Sequence, residues 1–216
     1  MADPQLPIAS KPTFYFGYGS NLWLEQMHIR CPTSQYLGVA RLNNYRWIIN
    51  DRGYANIIEV SKDPTTRECE YSSPTKDSNY ENVVFGLVYS LEAEDEKRLD
   101  RNEGVPIAYT KEDLSCDFWS SDTSHKVDTS KQLYERRDLL VYIDRKRMTP
   151  DKPRKEYIYR MNRGIDDALE MGVPEQYVRN VMREFIPAEE TGERRSMEEF
   201  AMAQAAQFRD ESGVFQ

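Results

Sequence analysis

An α+β fold is predicted for this 216-residue chain by three features of its sequence. Apolar stretches of strand length fill most of the first two thirds, one short acidic helical stretch interrupts them, and amphipathic helical stretches fill the end. Strands first and helices last is not the regular strand–helix alternation of a doubly wound sheet.

The first strand is the aromatic run Phe14, Tyr15 and Phe16, which leads into Gly17-Tyr18-Gly19. Glycines there free the backbone for a turn. Ser20 or Asn21 then reads as the cap of a helix from Leu22 to about Ile29, stopped by Pro32. The unpaired first N–H groups of such a helix, with the turn amides, form a concavity suited to a carboxylate or an oxyanion. An ordinary tight strand–helix turn has the same spacing. The chain holds no GxxxxGK[ST], full GxGxxG or GxSxG motif.

Residues 36–50 are strand-rich with a bend at Asn43-Asn44, and residues 53–60 read as another strand. Residues 61–82 turn sharply polar and read as a surface insertion. Alternation around Val83, Phe85, Leu87, Val88 and Tyr89 predicts a core strand. A helix over 92–102 follows, acidic at its start and basic later as the macrodipole prefers, and Gly104 ends it. Glu103 therefore falls at the negative end of a helix.

Residues 109–119 and 132–144 read as a strand pair around a polar loop at 120–131. A helix opening at Lys152-Pro153 puts Tyr157, Met161, Ile165 and Ala168 on one side and closes at Gly172. Pro174 starts the next, running through Tyr177, Val178 and Val181 to Phe185. Ser196 and Glu199 form a capping box for a last helix. The expected organisation is a tail over 1–13, one domain over 14–187 and a helical extension over 188–216.

A formal charge of −8 argues against nucleic acid and anionic membrane as main partners, and aromatics at 12%, with 14 tyrosines, argue against general disorder. No apolar run is long enough to span a membrane, and the first residues lack a secretory pattern, so a soluble cytoplasmic protein is expected. Cys31, Cys69 and Cys116 are scattered and suit reduced thiols. With only His28 and His125, neither a metal site nor a cofactor is expected. His28 and Cys31 could pair as ligands or as a catalytic couple, or simply share a helix face; nothing else completes either constellation.

Several ordered blocks resemble the γ-glutamylcyclotransferases. They are Tyr18-Gly19-Ser20-Asn21-Leu22, the strand Phe85-Gly86-Leu87-Val88-Tyr89, and Leu99-Asp100-Arg101-Asn102-Glu103-Gly104-Val105. Val39-Ala40-Arg41-Leu42 and the stretch from Tyr157 through Gly172-Val173-Pro174 to Tyr177 add to the likeness, which covers roughly residues 14–187. The resemblance implies a compact mixed β-barrel with peripheral helices. It also implies cyclisation of a γ-glutamyl group to 5-oxoproline with release of the amine, and Glu103 as general acid/base. The insertions at 61–82 and 120–131 are longer than the family pattern, and Tyr109 follows Glu103 at a slightly different spacing.

In a γ-glutamyl amide the α-amine can itself attack the γ-carbonyl, so the enzyme needs no nucleophile, only the correct folding of the substrate. Such orientation is worth roughly 7–11 kcal/mol of barrier. A free glutamate, with a pKa of about 4.3, is a poor base for an amine near 8, so Glu103 should be shifted upward. Gly17, Tyr18, Gly19, Ser20, Asn21 and Leu22 are expected to bind the substrate carboxylate, and Tyr18, Tyr109 and Tyr142 to line the pocket or donate a hydrogen bond. The amine side of the substrate stays open between an amino acid, an amine, glutathione and a larger conjugate. A catalytically silent module binding γ-glutamyl or other small carboxylate ligands is the alternative, and an interaction scaffold using the last helix is a third reading. A homodimer is left open.

Overall fold

The computed structural model describes residues 11–60, 80–121, 126–131, 135–188, 194–210 and 212. Most of the insertion expected over 61–82, part of the 120–131 loop, the start of the tail, Cys69 and His125 lie outside the described residues. Seven strands are present: β1 (Thr13–Gly17), β2 (Gln35–Asn43), β3 (Tyr45–Ile49), β4 (Ala55–Glu59), β5 (Val83–Leu91), β6 (Thr110–Ser120) and β7 (Glu135–Ile143). Five close into a barrel in the order β1-β5-β2-β6-β7, and β3 and β4 form a separate hairpin. The barrel is mixed, with antiparallel pairs throughout except one parallel seam where Tyr15 of β1 meets Leu140 of β7.

The bend expected at residues 43–44 is where the chain leaves the barrel for the hairpin. Asn44 has φ of 63°, a left-handed conformation that asparagine tolerates better than most side chains. Strand β5 is the expected core strand, with Val84, Phe85, Leu87, Val88 and Tyr89 all buried. It runs through the middle of the barrel wall, with the interior on one face and other elements on the other. At Gly86 the strands approach so closely that a Cβ would lie 2.5 Å from the Gly17 carbonyl oxygen.

The helices are α1 (Leu24–Arg30), α2 (Ala93–Asn102), α3 (Lys155–Met171), α4 (Glu175–Asn180) and α5 (Arg194–Ala206). Three helix boundaries correct the sequence reading. Residues Ser20–Leu22 form a separate 3-10 turn, and α1 starts at Leu24 without a side-chain cap from its own preceding residue. The Leu24 N–H is satisfied instead by the Asp167 carboxylate of α3 at 2.8 Å. Helix α4 is short and followed by a 3-10 turn at Met182–Glu184, where one helix through Phe185 was expected. Helix α5 begins at Arg194, so Ser196 is inside its first turn, and that side chain lies outside the described residues. The end of α3 is as expected: Gly172 takes φ of 112°, and a Cβ there would meet the Val127 carbonyl oxygen at 2.1 Å.

Phe16, Leu42, Leu87, Leu139, Val141 and Ile143 pack the barrel core, each removal from water worth about 1.5–3 kcal/mol. Trp47 of the hairpin meets Phe185 edge-on at 5.8 Å, which ties β3 to the segment after α4. The 3-10 turn, the C-terminus of α2, the β3–β4 hairpin, α3 and the segment after α5 all converge at one pocket.

Candidate active site

Asn21, at the centre of the 3-10 turn, organises the pocket. Its amide nitrogen donates to the Tyr15 hydroxyl at 2.8 Å and to Glu103 Oε1 at 2.9 Å. Its side-chain oxygen accepts from Gln26 at 2.8 Å and from Arg30 Nη1 at 2.9 Å, and the Tyr89 hydroxyl donates to its backbone carbonyl. All of its side-chain polar capacity is in use. Asn21 therefore fixes the Glu103 carboxyl by one oxygen only. Among the described residues no donor reaches Glu103 Oε2, and the side chain keeps 16% exposure toward the pocket.

The Glu103 carboxyl is held above the usual carboxylate range, chiefly by burial. Arg30, at 3.9 Å from Oε1, and the Asn21 amide pull the other way without reversing it. Glu103 is the residue that ends α2, where the negative end of the helix dipole also disfavours a second negative charge.

The polar chain continues inward. Gln26 also donates to Ser20 Oγ at 3.0 Å, and Arg160 Nη1 donates to Ser20 Oγ at 3.1 Å and to Gln26 Oε1 at 3.2 Å. Arg160 in turn makes a bidentate pair with Glu156 at 2.8 and 3.1 Å. Arg30 donates to the carbonyls of Ala205 and Gln204, and burial together with the Arg160 charge lowers its pKa to about 10.

The pocket is a half-open cleft of about 480 Å³, open solvent at its mouth included. Of the residues singled out from the sequence, Tyr18, Gly19, Ser20, Asn21, Glu103, Tyr109 and Tyr142 line it. Gly17 and Leu22 do not. Gly17 is the last residue of β1, and Leu22 is fully buried against Gly164 of α3.

Three amides of the expected cradle already have protein partners. The Leu22 N–H donates to Gly19, the Trp23 N–H to Ser20 and the Ser20 N–H to the Tyr157 hydroxyl. Positive charge at the pocket comes from the guanidinium groups of Arg30, Arg52 and Arg160. The three expected tyrosines present rings rather than spare donors. The Tyr18 hydroxyl donates to the Tyr142 carbonyl, that of Tyr109 to the Ala55 carbonyl, and that of Tyr142 to Asp100. Burial raises the pKa of all three.

Tyr157, missed as a site residue, is placed differently. Its hydroxyl accepts the N–H groups of Ser20 at 3.1 Å and Ala55 at 3.2 Å, and its own proton has no acceptor among the described residues. It is therefore available to a ligand oxygen. Burial pushes its pKa up to about 12, so it stays a neutral donor. A signal for the missed residues was present: Gln26 and Arg30, and Glu156 and Arg160, are polar pairs four apart on the core side of their helices.

The remaining sequence candidates do not gather here. Cys31 is buried with its sulfur directed at the Asp95 carbonyl, and burial pushes its thiol up to about 12, whereas His28 is exposed. The pair thus has the structural role and not a thiolate–imidazole couple. Among the described residues no group of three or more His, Cys, Asp and Glu could hold a metal ion, and no helix is long and apolar enough to cross a membrane.

Comparison with known proteins yields a sequence relative and several folds. A stretch of 98 residues is 28% identical to the mouse γ-glutamylcyclotransferase, and it spans 42% of this chain and 44% of that protein, less than half of its length. An uncharacterised human protein superposes with a TM-score of 0.60 at 20% identity, covering 89% of this chain and 99% of the other. A structure described as a γ-glutamyl cyclotransferase superposes at 0.59 with the same identity and coverage. Bacillus subtilis YkqA superposes at 0.56 with 16% identity, covering 83% of this chain and 57% of that one. No family model matches the chain.

Proposed function

We propose that this chain, whose fold and partial sequence match resemble those of the γ-glutamylcyclotransferases, converts a γ-glutamyl amide to 5-oxoproline and the free amine. The observation that carries the proposal is Glu103. It is a partly desolvated carboxyl raised above its ordinary range, held by Asn21 through one oxygen and left open to the pocket through the other.

The substrate's α-amine nitrogen bonds to its γ-carbonyl carbon as the Glu103 carboxylate takes a proton from that nitrogen. The γ-carbon to amide-nitrogen bond then breaks as Glu103 returns a proton to the departing nitrogen. Nothing is consumed but the substrate. The negative charge that develops on the γ-oxygen needs a positioned donor, and the Tyr157 O–H and the buried guanidinium groups supply candidates. The arginines also suit the substrate's α-carboxylate, and a rigid pocket that folds the chain back on itself supplies the orientation on which the reaction depends.

The test is direct. Purified protein is incubated with γ-glutamyl amino acids, γ-glutamylamines, glutathione and S-conjugates, and 5-oxoproline is measured for wild type and Glu103→Gln. Product from wild type, lost in the variant, is the expected outcome. Tight binding of a γ-glutamyl compound by both proteins with no product from either would make the chain a binding module instead.

A further inference from the structure

The residues after α5 form part of the pocket, which no motif in the sequence signals. Phe208 lines it, half-buried, with its ring edge-on to Tyr54 at 5.2 Å and the Arg160 guanidinium 5.6 Å from its centroid. Its backbone N–H donates to the Asn102 side chain at 3.3 Å, next to Glu103. Arginines fasten the segment on both sides of that ring. Arg30 holds the carbonyls of Gln204 and Ala205, Arg52 pairs with the Asp210 carboxylate, and Arg154 donates to the Ser212 carbonyl at 3.1 Å. The segment thus bridges the pocket from the C-terminus of α2 to the β3–β4 hairpin, and Phe208 is the apolar side chain it inserts.

We infer that Phe208 is a specificity-determining residue that limits the bulk of the amine leaving from the substrate. The inference rests on the cyclotransferase reading for the identity of that group. Both proton transfers in the reaction pass through Glu103, so the departing nitrogen must lie beside it, and the Phe208 backbone is fixed to the adjacent residue. A phenyl ring braced by Tyr54 and Arg160 cannot swing away without breaking those contacts. Compact leaving amines fit inside the wall, and a bicyclic aromatic amine collides with it.

The experiment compares γ-glutamylalanine with γ-glutamyl-2-naphthylamide in the full chain, using Phe208→Ala, Phe208→Leu and Asp210→Asn beside wild type. Phe208→Ala should raise the kcat/KM ratio of the naphthylamide to the alanine compound by about tenfold or more, the scale set by gain or loss of pocket volume. Phe208→Leu should move it the same way by less, as should Asp210→Asn, which keeps the phenyl side chain but loosens the segment that carries it. An unchanged ratio in a folded Phe208→Leu or Phe208→Ala protein overturns the inference. If no variant makes 5-oxoproline, the cyclotransferase reading fails separately, and the equilibrium affinities of the same two compounds report on the wall: a ratio shifted about tenfold by Phe208→Ala supports it, and an unshifted one overturns it.

Discussion

Glu103 and Glu156 occupy the two ends of one buried polar chain, and their treatment by the fold is opposite. Glu156, 5% exposed, has both oxygens engaged by Arg160 at 2.8 and 3.1 Å. Glu103 has one oxygen on a neutral amide, its nearest cation held off at 3.9 Å, and its second oxygen open to the pocket. Asn21 and Gln26 separate the two ends, passing hydrogen bonds from one to the other while keeping a full ion pair away from Glu103. A saturated carboxylate can only hold structure. One that is under-partnered and desolvated keeps a proton affinity that chemistry can use.

That contrast can be broken at each end. The largest effect expected is on turnover. Glu103→Gln should lower 5-oxoproline formation by about 10²- to 10⁴-fold with the fold intact, read by product assay and circular dichroism. Next comes stability at the other end. Glu156→Gln leaves the Arg160 charge buried without its partner and should cost about 3–5 kcal/mol in denaturant unfolding, far more than any cost of Glu103→Gln. Equal costs for the two substitutions would erase the distinction.

Two smaller effects sharpen it. Glu103 is raised above its unfolded value, so its contribution to stability is complete at pH below the ordinary carboxylate range and is lost as pH rises through its folded pKa. Glutamine stays neutral, so Glu103→Gln should melt above wild type near pH 8, and the difference should close near pH 4, on a scale set by reference carboxylates at about 4.3. The acid limb of the activity profile should follow the same group, since only the carboxylate can take the amine proton. Arg30 pulls the Glu103 pKa down, so Arg30→Met should move that limb to higher pH; a limb that stays in place would assign it to another group.

Much of the fold was legible in the chain. The seven strand regions, the Asn43-Asn44 bend, the acidic start of α2 and the Gly172 stop of α3 each rest on local periodicity, capping charge or a positive φ, which a sequence states within a few residues. Two backbone donors show what local reading does not reach. The Leu24 N–H at the start of α1 goes to Asp167, 143 positions away, and the Ser20 N–H to Tyr157, 137 positions away. Both partners are tertiary, and no contiguous pattern states them.

The site divides the same way. The sequence by itself determined the glycine turn that follows the first strand, Glu103 at the end of a helix, and an α+β chain rich in tyrosine, because each is written in contiguous residues. Only the tertiary structure decided that Arg30, Arg52, Arg160, Tyr157 and Phe208 face one pocket with them. These residues come from a helix, a hairpin, a second helix and the segment after α5, and no local pattern relates them. Barrel closure and helix packing bring them together, and the burial that results sets the proton affinity of Glu103.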